Sequence, residues 1–367
     1  MKKIVCFINC ISNGGAEIQL SSLANMLSDR GYDVSLVTYG DAKDLQVLSP
    51  KVERIRLAEG KGNMSKFFAI FKFFALTKAD CVISYCQRNN FFALIPLLFR
   101  SRRKIKVIAG ERNITAGDPD FYEKWLFKCL YKRADYIIPN SYTQGKYIIS
   151  KHPEWKDKVQ TIINYTDLNR FSVQHHDFDG TVRVGIFCRF DPQKNTVRFA
   201  EVVRRLKKSS PMPFVVDWYG LKTFKDNSPN AGYLELDELV KEYGIEDCLV
   251  LKDHVIDVVS KMKDYDVLAL PSLYEGFSNS IAEGISCGKP MLVSDVSDNY
   301  LMVKNGENGF LFNPTDIEEM VQKFMAFFSL SNSKRIEMGR KSRQNAEALF
   351  SKTVFIDSYI KLIEGKS

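Results

Sequence analysis

The chain has 367 residues, 45% of them hydrophobic and 26% charged. That balance excludes wholesale disorder and fibrous repeats, and at ~100–200 residues per domain the length predicts about two domains, each with its own core. The net charge of +8 gathers in one place, because residues 61–106 hold ten Lys and Arg against the single acid Asp80, a local +9 that leaves the rest of the chain at −1.

The basic stretch also holds eight Phe. Its candidate partners are an anionic membrane surface or a polyanion, and the plainer reading is a half-buried Phe-rich helix with solvated lysines. No nucleic-acid-binding module accompanies the charge, so nucleic acid is not an expected partner. Eight cysteines form no C-x-x-C pair and sit mostly in apolar runs, which predicts reduced cytosolic thiols. The start, Met1-Lys2-Lys3 followed by a short apolar run and a Gly loop, is not a signal peptide, so secretion is not expected. The longest apolar runs, at 67–71 and 91–99, fall well short of the ~20 residues that cross a bilayer.

Taken in chain order, apolar β-rich runs alternate with helical patterns, the mark of βαβ units building parallel sheets. The first series predicts strands at 3–9, 33–38, 81–84, 105–109, 136–139 and 159–163, with helices near 16–29, 64–78, 89–99, 120–133 and 142–150. The second predicts strands at 182–188, 214–219, 248–251, 266–270 and 291–294, with helices near 195–208, 233–243, 256–263 and 279–287. After Phe312 only helices follow, near 315–328, 332–349 and 353–364. Residues 165–180 lack an apolar period and read as a linker. The expected division is a first domain over 1–164, a second over 181–345, and a last helix within 346–367 returning to the first domain.

Open parallel sheets bind ligands beyond the carboxyl ends of their strands, and four sites in the sequence fall there. Gly14-Gly15 opens a helix after the first strand, where a bare backbone and free N–H groups suit an anion, although a simple turn reads the same way. Arg189 and Lys194 follow the first strand of the second series. Two cations beside a helix start suit a phosphate or diphosphate, and a solvated loop is the alternative. Glu275 and Glu283 are separated by seven residues, the first in a loop after a buried strand and the second inside the next helix. Carboxylates there accept hydrogen bonds from sugar and ribose hydroxyls, while Gly276 and the amides of Phe277, Ser278, Asn279 and Ser280 donate. Taken alone, a helical Glu is more simply a surface or ion-pair residue. The fourth site, Glu111, Arg112 and Asn113, follows a strand of the first series.

Glu275 and Glu283 in their strand–loop–helix setting, together with Gly14-Gly15, Arg189 with Lys194, and the linker segment Asn164–Phe171, resemble the glycosyltransferases of family 4 over nearly the whole chain. The variants "EGFSNS" and "GERNIT" are most similar to the members that build bacterial surface polysaccharides. The resemblance implies an α/β fold of the GT-B kind, two Rossmann-like doubly wound domains facing across a cleft. It implies retaining transfer from a nucleotide-diphosphate sugar, UDP-linked, to a hydroxyl acceptor such as a lipid-linked saccharide, with no metal and no cofactor. Carried over residue by residue, Arg189 and Lys194 would grip the diphosphate, Glu275 the transferred sugar and Glu283 the ribose. Gly14 and Gly15 would approach from the first domain, and Glu111, Arg112 and Asn113 would serve the acceptor side.

Where relatives carry a histidine near this last site the chain has none, and His254 stands where they have glycine. The alternatives are a nucleotide-sugar 2-epimerase of the same fold and a non-catalytic assembly partner. Two D-x-D matches, at 177–179 and 264–266, lie in the linker and before a strand, so neither suits a metal–diphosphate site. The expected location is cytoplasmic, held at the inner face of the cell membrane through residues 61–106, with Arg100, Arg102, Arg103 and Lys104 as contacts.

Overall fold

The computed structural model describes residues 1–12, 14–98, 105–112, 124–173, 178–224 and 228–365. Two compact units result: Met1–Tyr165 with Lys352–Ser367, and Thr166–Ser351. In the first, β1 (Lys3–Phe7), β2 (Asp33–Thr38), β3 (Glu53–Arg56), β4 (Cys81–Tyr85), β5 (Lys106–Glu111) and β6 (Tyr136–Pro139) form a parallel sheet ordered β3-β2-β1-β4-β5-β6. In the second, β7 (Val182–Phe187), β8 (Phe214–Gly220), β9 (Leu249–Asp253), β10 (Val267–Leu270), β11 (Met291–Ser294) and β12 (Gly309–Phe312) are ordered β12-β11-β10-β7-β8-β9, again parallel. Counted from its own first strand, each sheet has the same doubly wound order. Each therefore reverses direction once, between β1 and β4 and between β7 and β10, where such sheets bind ligands.

The described helices are α1 (Gly15–Asp29), α2 (Asn63–Leu76), α3 (Gln87–Leu98), α4 (Tyr142–Lys151), α5 (Thr196–Ser209), α6 (Ala231–Glu242), α7 (Val258–Met262), α8 (Asn279–Ser286), α9 (Asn299–Met302), α10 (Ile317–Phe328), α11 (Asn332–Leu349) and α12 (Lys352–Glu364). Among the described residues, no helix is long and apolar enough to cross a membrane.

Both faces of the first sheet are covered, as a period of two along each strand requires. Ile4 and Cys6 of β1 pack with Leu20 and Leu27 of α1 and with Phe355, Tyr359 and Leu362 of α12. Val5 and Phe7 pack on the other face with Ile70 and Phe74 of α2. Lys106 ties α12 down by donating to its terminal carbonyls, Leu362 O at 2.8 Å and Ile363 O at 3.0 Å. The second core gathers Val184, Ile186, Phe199, Val203, Trp218, Phe324 and Phe328.

Three segments depart from the sequence reading. The edge strand β3 carries three charged residues among four, and its Arg54 reaches Asp44 at 2.9 and 3.0 Å, so no apolar run announces it. The short β12 begins at Gly309, where a Cβ would stand 2.1 Å from Met291 O, and four residues make a weak signal. Residues 159–163 do not form the expected strand. They follow β6 through Gln160 N to Ile137 O at 3.0 Å and Ile162 N to Pro139 O at 3.1 Å, but pair only as one bridge, Ile137 with Val159. Pro139 has no N–H to donate, which breaks the ladder.

Candidate active site

Two of the expected residues, Lys194 and Glu275, meet at the reversal point of the second sheet. After β7, a turn at Pro192–Lys194 presents Lys194, and Asn195 follows in the left-handed region at φ 62°, a conformation asparagine tolerates. The Asn195 amide donates to Pro314 O at 2.7 Å and fixes the turn. After β10, the loop to α8 presents Glu275. Lys194 Nζ lies 2.5 Å from Glu275 Oε1, and the two residues are only 9% and 7% exposed. Paired charges withdrawn this far from water rest on each other.

The two loops are stitched together by Leu273 N to Gln193 O and by Gln193 Nε2 to Tyr274 O, both at 2.8 Å. Ser280 Oγ donates to Phe187 O at 2.8 Å and pins the start of α8 to the end of β7. The Ser278 hydroxyl at the N-cap of α8 turns to Asn299 Oδ1 at 3.0 Å and caps nothing. Phe277 is buried, its ring 6.1 Å from that of Phe350. Gly276 and Asn279 are half-buried beside it.

Arg189 is mostly exposed, its guanidinium 3.1 Å from Asp191 Oδ2 and 3.4 Å from Gln193 Oε1. Glu283 lies one turn into α8, and burial pushes its carboxyl up to about 7 against the opposing pull of Arg170. One turn on, Cys287 lines a cavity of about 500 Å³ shared with Arg170, Asp257, Lys263 and Lys289. The Lys289 ammonium donates to Lys263 O at 3.1 Å and Tyr265 O at 2.9 Å, and burial lowers it to about 8.

In the first unit, Gly14 precedes α1, and a Cβ there would meet the Glu17 carboxylate at 2.1 Å, so the close approach is made by the chain's own acid. Gly15 begins the helix. Glu111 ends β5 wholly buried, receiving Gln87 Nε2 and Asn90 Nδ2 at 3.3 Å each. Arg112 is likewise enclosed: its guanidinium lies 3.7 Å from the Tyr85 ring centroid and donates to Asn164 Oδ1 at 3.0 Å and Tyr359 OH at 2.9 Å. That geometry braces the first unit around β4 and α12. Asn113, like Arg100, Arg102, Arg103 and Lys104, lies outside the described residues. His254 is exposed at the end of β9.

The sequence reading missed Ser297 and Asn299. Ser297 sits at φ 50° and its hydroxyl donates to the backbone carbonyl of Glu275, while Asn299 Nδ2 holds Ser294 O at 3.0 Å. No local pattern marks them, since both act across a turn. Ser297→Gly is expected to leave the melting temperature nearly unchanged, because relief of the left-handed backbone, about 1 kcal/mol, offsets the lost bond. It should nonetheless slow transfer about fivefold as the Glu275 loop loosens. Activity falling only in step with stability would make Ser297 a support of the fold alone.

Residues 13–170 match the family described as Glycosyltransferase Family 4, and residues 181–329 match that described as Glycosyl transferases group 1. The N-acetylgalactosamine-N,N'-diacetylbacillosaminyl-diphospho-undecaprenol 4-alpha-N-acetylgalactosaminyltransferase of Campylobacter jejuni is 22% identical over 313 residues, 80% of this chain and 81% of that one. The UDP-Gal:alpha-D-GlcNAc-diphosphoundecaprenol alpha-1,3-galactosyltransferase of Escherichia coli is 29% identical over 51% of this chain and 49% of its own. The Anabaena protein HepE, solved with UDP and glucose, superposes at a TM-score of 0.79 with 16% identity over the full length of both chains. With its two parallel sheets of one shared order and both halves matched, the chain is a family 4-like glycosyltransferase of the GT-B fold.

Proposed function

We propose that this glycosyltransferase moves a sugar, with retention at the anomeric carbon, from a UDP-sugar to a hydroxyl of a lipid-linked saccharide during surface-polysaccharide synthesis. The observation that carries the reading is the Lys194–Glu275 pair at the reversal point of the second sheet, where a cation for the diphosphate stands against a carboxylate for the sugar. The names of the Campylobacter and Escherichia relatives, both acting on undecaprenyl-diphosphate saccharides, support the acceptor class. A UDP donor is supported by the Escherichia enzyme's name and by the UDP bound to HepE.

In this reading Arg189, Lys194 and the first-turn amides of α8 receive the diphosphate as the bond from the anomeric carbon to its oxygen breaks. Preorganised donors at that charge stabilise the transition state, about 3–4 kcal/mol for one such donor. Glu275 holds a sugar hydroxyl and Glu283 the ribose. The acceptor oxygen bonds to the same face of the anomeric carbon, and its proton passes to the departing phosphate oxygen. Incubation with a panel of UDP-sugars, with and without undecaprenyl-diphosphate saccharides, tests the reading. Transfer that needs the acceptor, with the product's anomeric configuration equal to the donor's, is the expected result. Isomerised donor without acceptor would mark an epimerase.

Glu283 adds a pH dependence. Ribose hydroxyls donate best to the ionised carboxylate, whereas burial holds the free enzyme's group near 7. Nucleotide binding therefore releases a proton, and affinity weakens as pH falls below that value. Glu283→Gln should weaken UDP binding about tenfold and abolish the proton release, seen by calorimetry in buffers of differing ionisation enthalpy. Proton release persisting in the variant would assign it elsewhere.

A further inference from the structure

We propose that the outward face of α2 is a docking surface for an anionic lipid bilayer. The helix buries only Ile70 and Phe74, the latter edge-on against Phe7 with ring centroids 4.9 Å apart. A surface helix with one buried side normally turns a polar face to water. Here Met64, Phe68, Lys72 and Leu76 follow one another at four-residue intervals, so they share the opposite face, and the three apolar ones are 68%, 61% and 67% exposed.

Charge selects the partner. Lys61, Lys72 and Lys78 are exposed on or beside this stripe. Lys66 points elsewhere, its ammonium 2.5 Å from Asp41. The acids of the preceding segment are engaged as well, Asp44 by Arg54 and Arg56, and Glu59 by Arg56. What faces outward is apolar and cationic together, the chemistry of a helix lying in the plane of an anionic interface with its lysine stems along the acyl boundary. At 14 residues α2 spans about 21 Å, enough to lie at a surface and too short to cross. A protein partner or a second copy would be served by the apolar residues but gives no reason for a lysine in their midst.

This deepens the proposed acceptor class, since an enzyme whose acceptor is anchored in lipid works best when held at the same surface. The test uses the full chain with vesicles of phosphatidylcholine alone and of phosphatidylcholine with phosphatidylglycerol, with UDP binding measured in parallel. Wild-type protein is expected to sediment with the anionic vesicles at least about tenfold better than with neutral ones at low salt, with the preference lost at high salt. The pair Phe68→Ser and Leu76→Ser should abolish that binding, and Lys72→Glu should reduce it. All these variants should keep the wild-type melting temperature and UDP affinity. Equal binding to both vesicle types, or unchanged binding by the Phe68/Leu76 pair, overturns the proposal. So does a dimer that these substitutions convert to monomer without any lipid effect, which would assign the face to a second copy. Normal UDP affinity beside failed lipid binding leaves the donor reading standing and removes only the docking surface.

Discussion

Glu275→Gln is expected to lower turnover at saturating donor at least about a hundredfold, the scale seen when one preorganised polar contact to a transition state is removed. The amide retains an oxygen that Lys194 can still meet, so the chain folds, but the charge opposite a buried ammonium is gone. Removing one partner of a buried pair costs about 3–5 kcal/mol, and the retained acceptor makes this a ceiling. The melting temperature should fall while unfolding stays cooperative. Full turnover by the variant would remove Glu275 from the chemistry.

Lys194→Ala produces the second large effect, and in two places. Hydrogen bonds to charged groups contribute about 1.5–3 kcal/mol, so UDP binding should weaken by roughly 10- to 100-fold while uridine binding barely changes. Glu275 is left buried without its cation, which destabilises the second unit. The double variant Lys194→Ala/Glu275→Gln should then be more stable than the two single losses added together, because neither charge remains stranded. Arg189→Ala should share the loss for UDP with little loss of stability, since that side chain is 71% exposed. Calorimetry on both ligands and thermal unfolding of the four proteins decide the matter. Equal losses for UDP and uridine would place the cations away from the diphosphate.

Strands such as Val267–Leu270 and Met291–Ser294 were legible because a parallel sheet covered on both faces favours near-continuous apolar runs. The charged edge strand Glu53–Arg56 was not, because an edge needs no such run. Glu275 and Glu283 were legible as a spacing within one loop and helix. Lys194 was legible as a cation after a strand, but its pairing with Glu275 was not: the two lie 81 residues apart, and only the strand order that sets β7 beside β10 brings them together. The contacts of Arg112 were not legible either, since a charged residue after a strand looks the same in sequence whatever it meets, and this one closes over Tyr85 and Tyr359.

The first unit is built from two separate stretches, Met1–Tyr165 and Lys352–Ser367, with the second unit continuous between them. During synthesis, then, Thr166–Ser351 leaves the ribosome whole and is free to fold, while the face of the first sheet that receives Phe355, Tyr359 and Leu362 has no cover. At about 5–20 residues per second that interval is on the order of ten seconds or more. Ile4, Cys6 and Leu20 await Phe355, Tyr359 and Leu362, so a face made before the second unit is sealed only after it, and termination near residue 350 would yield one finished unit beside an open one.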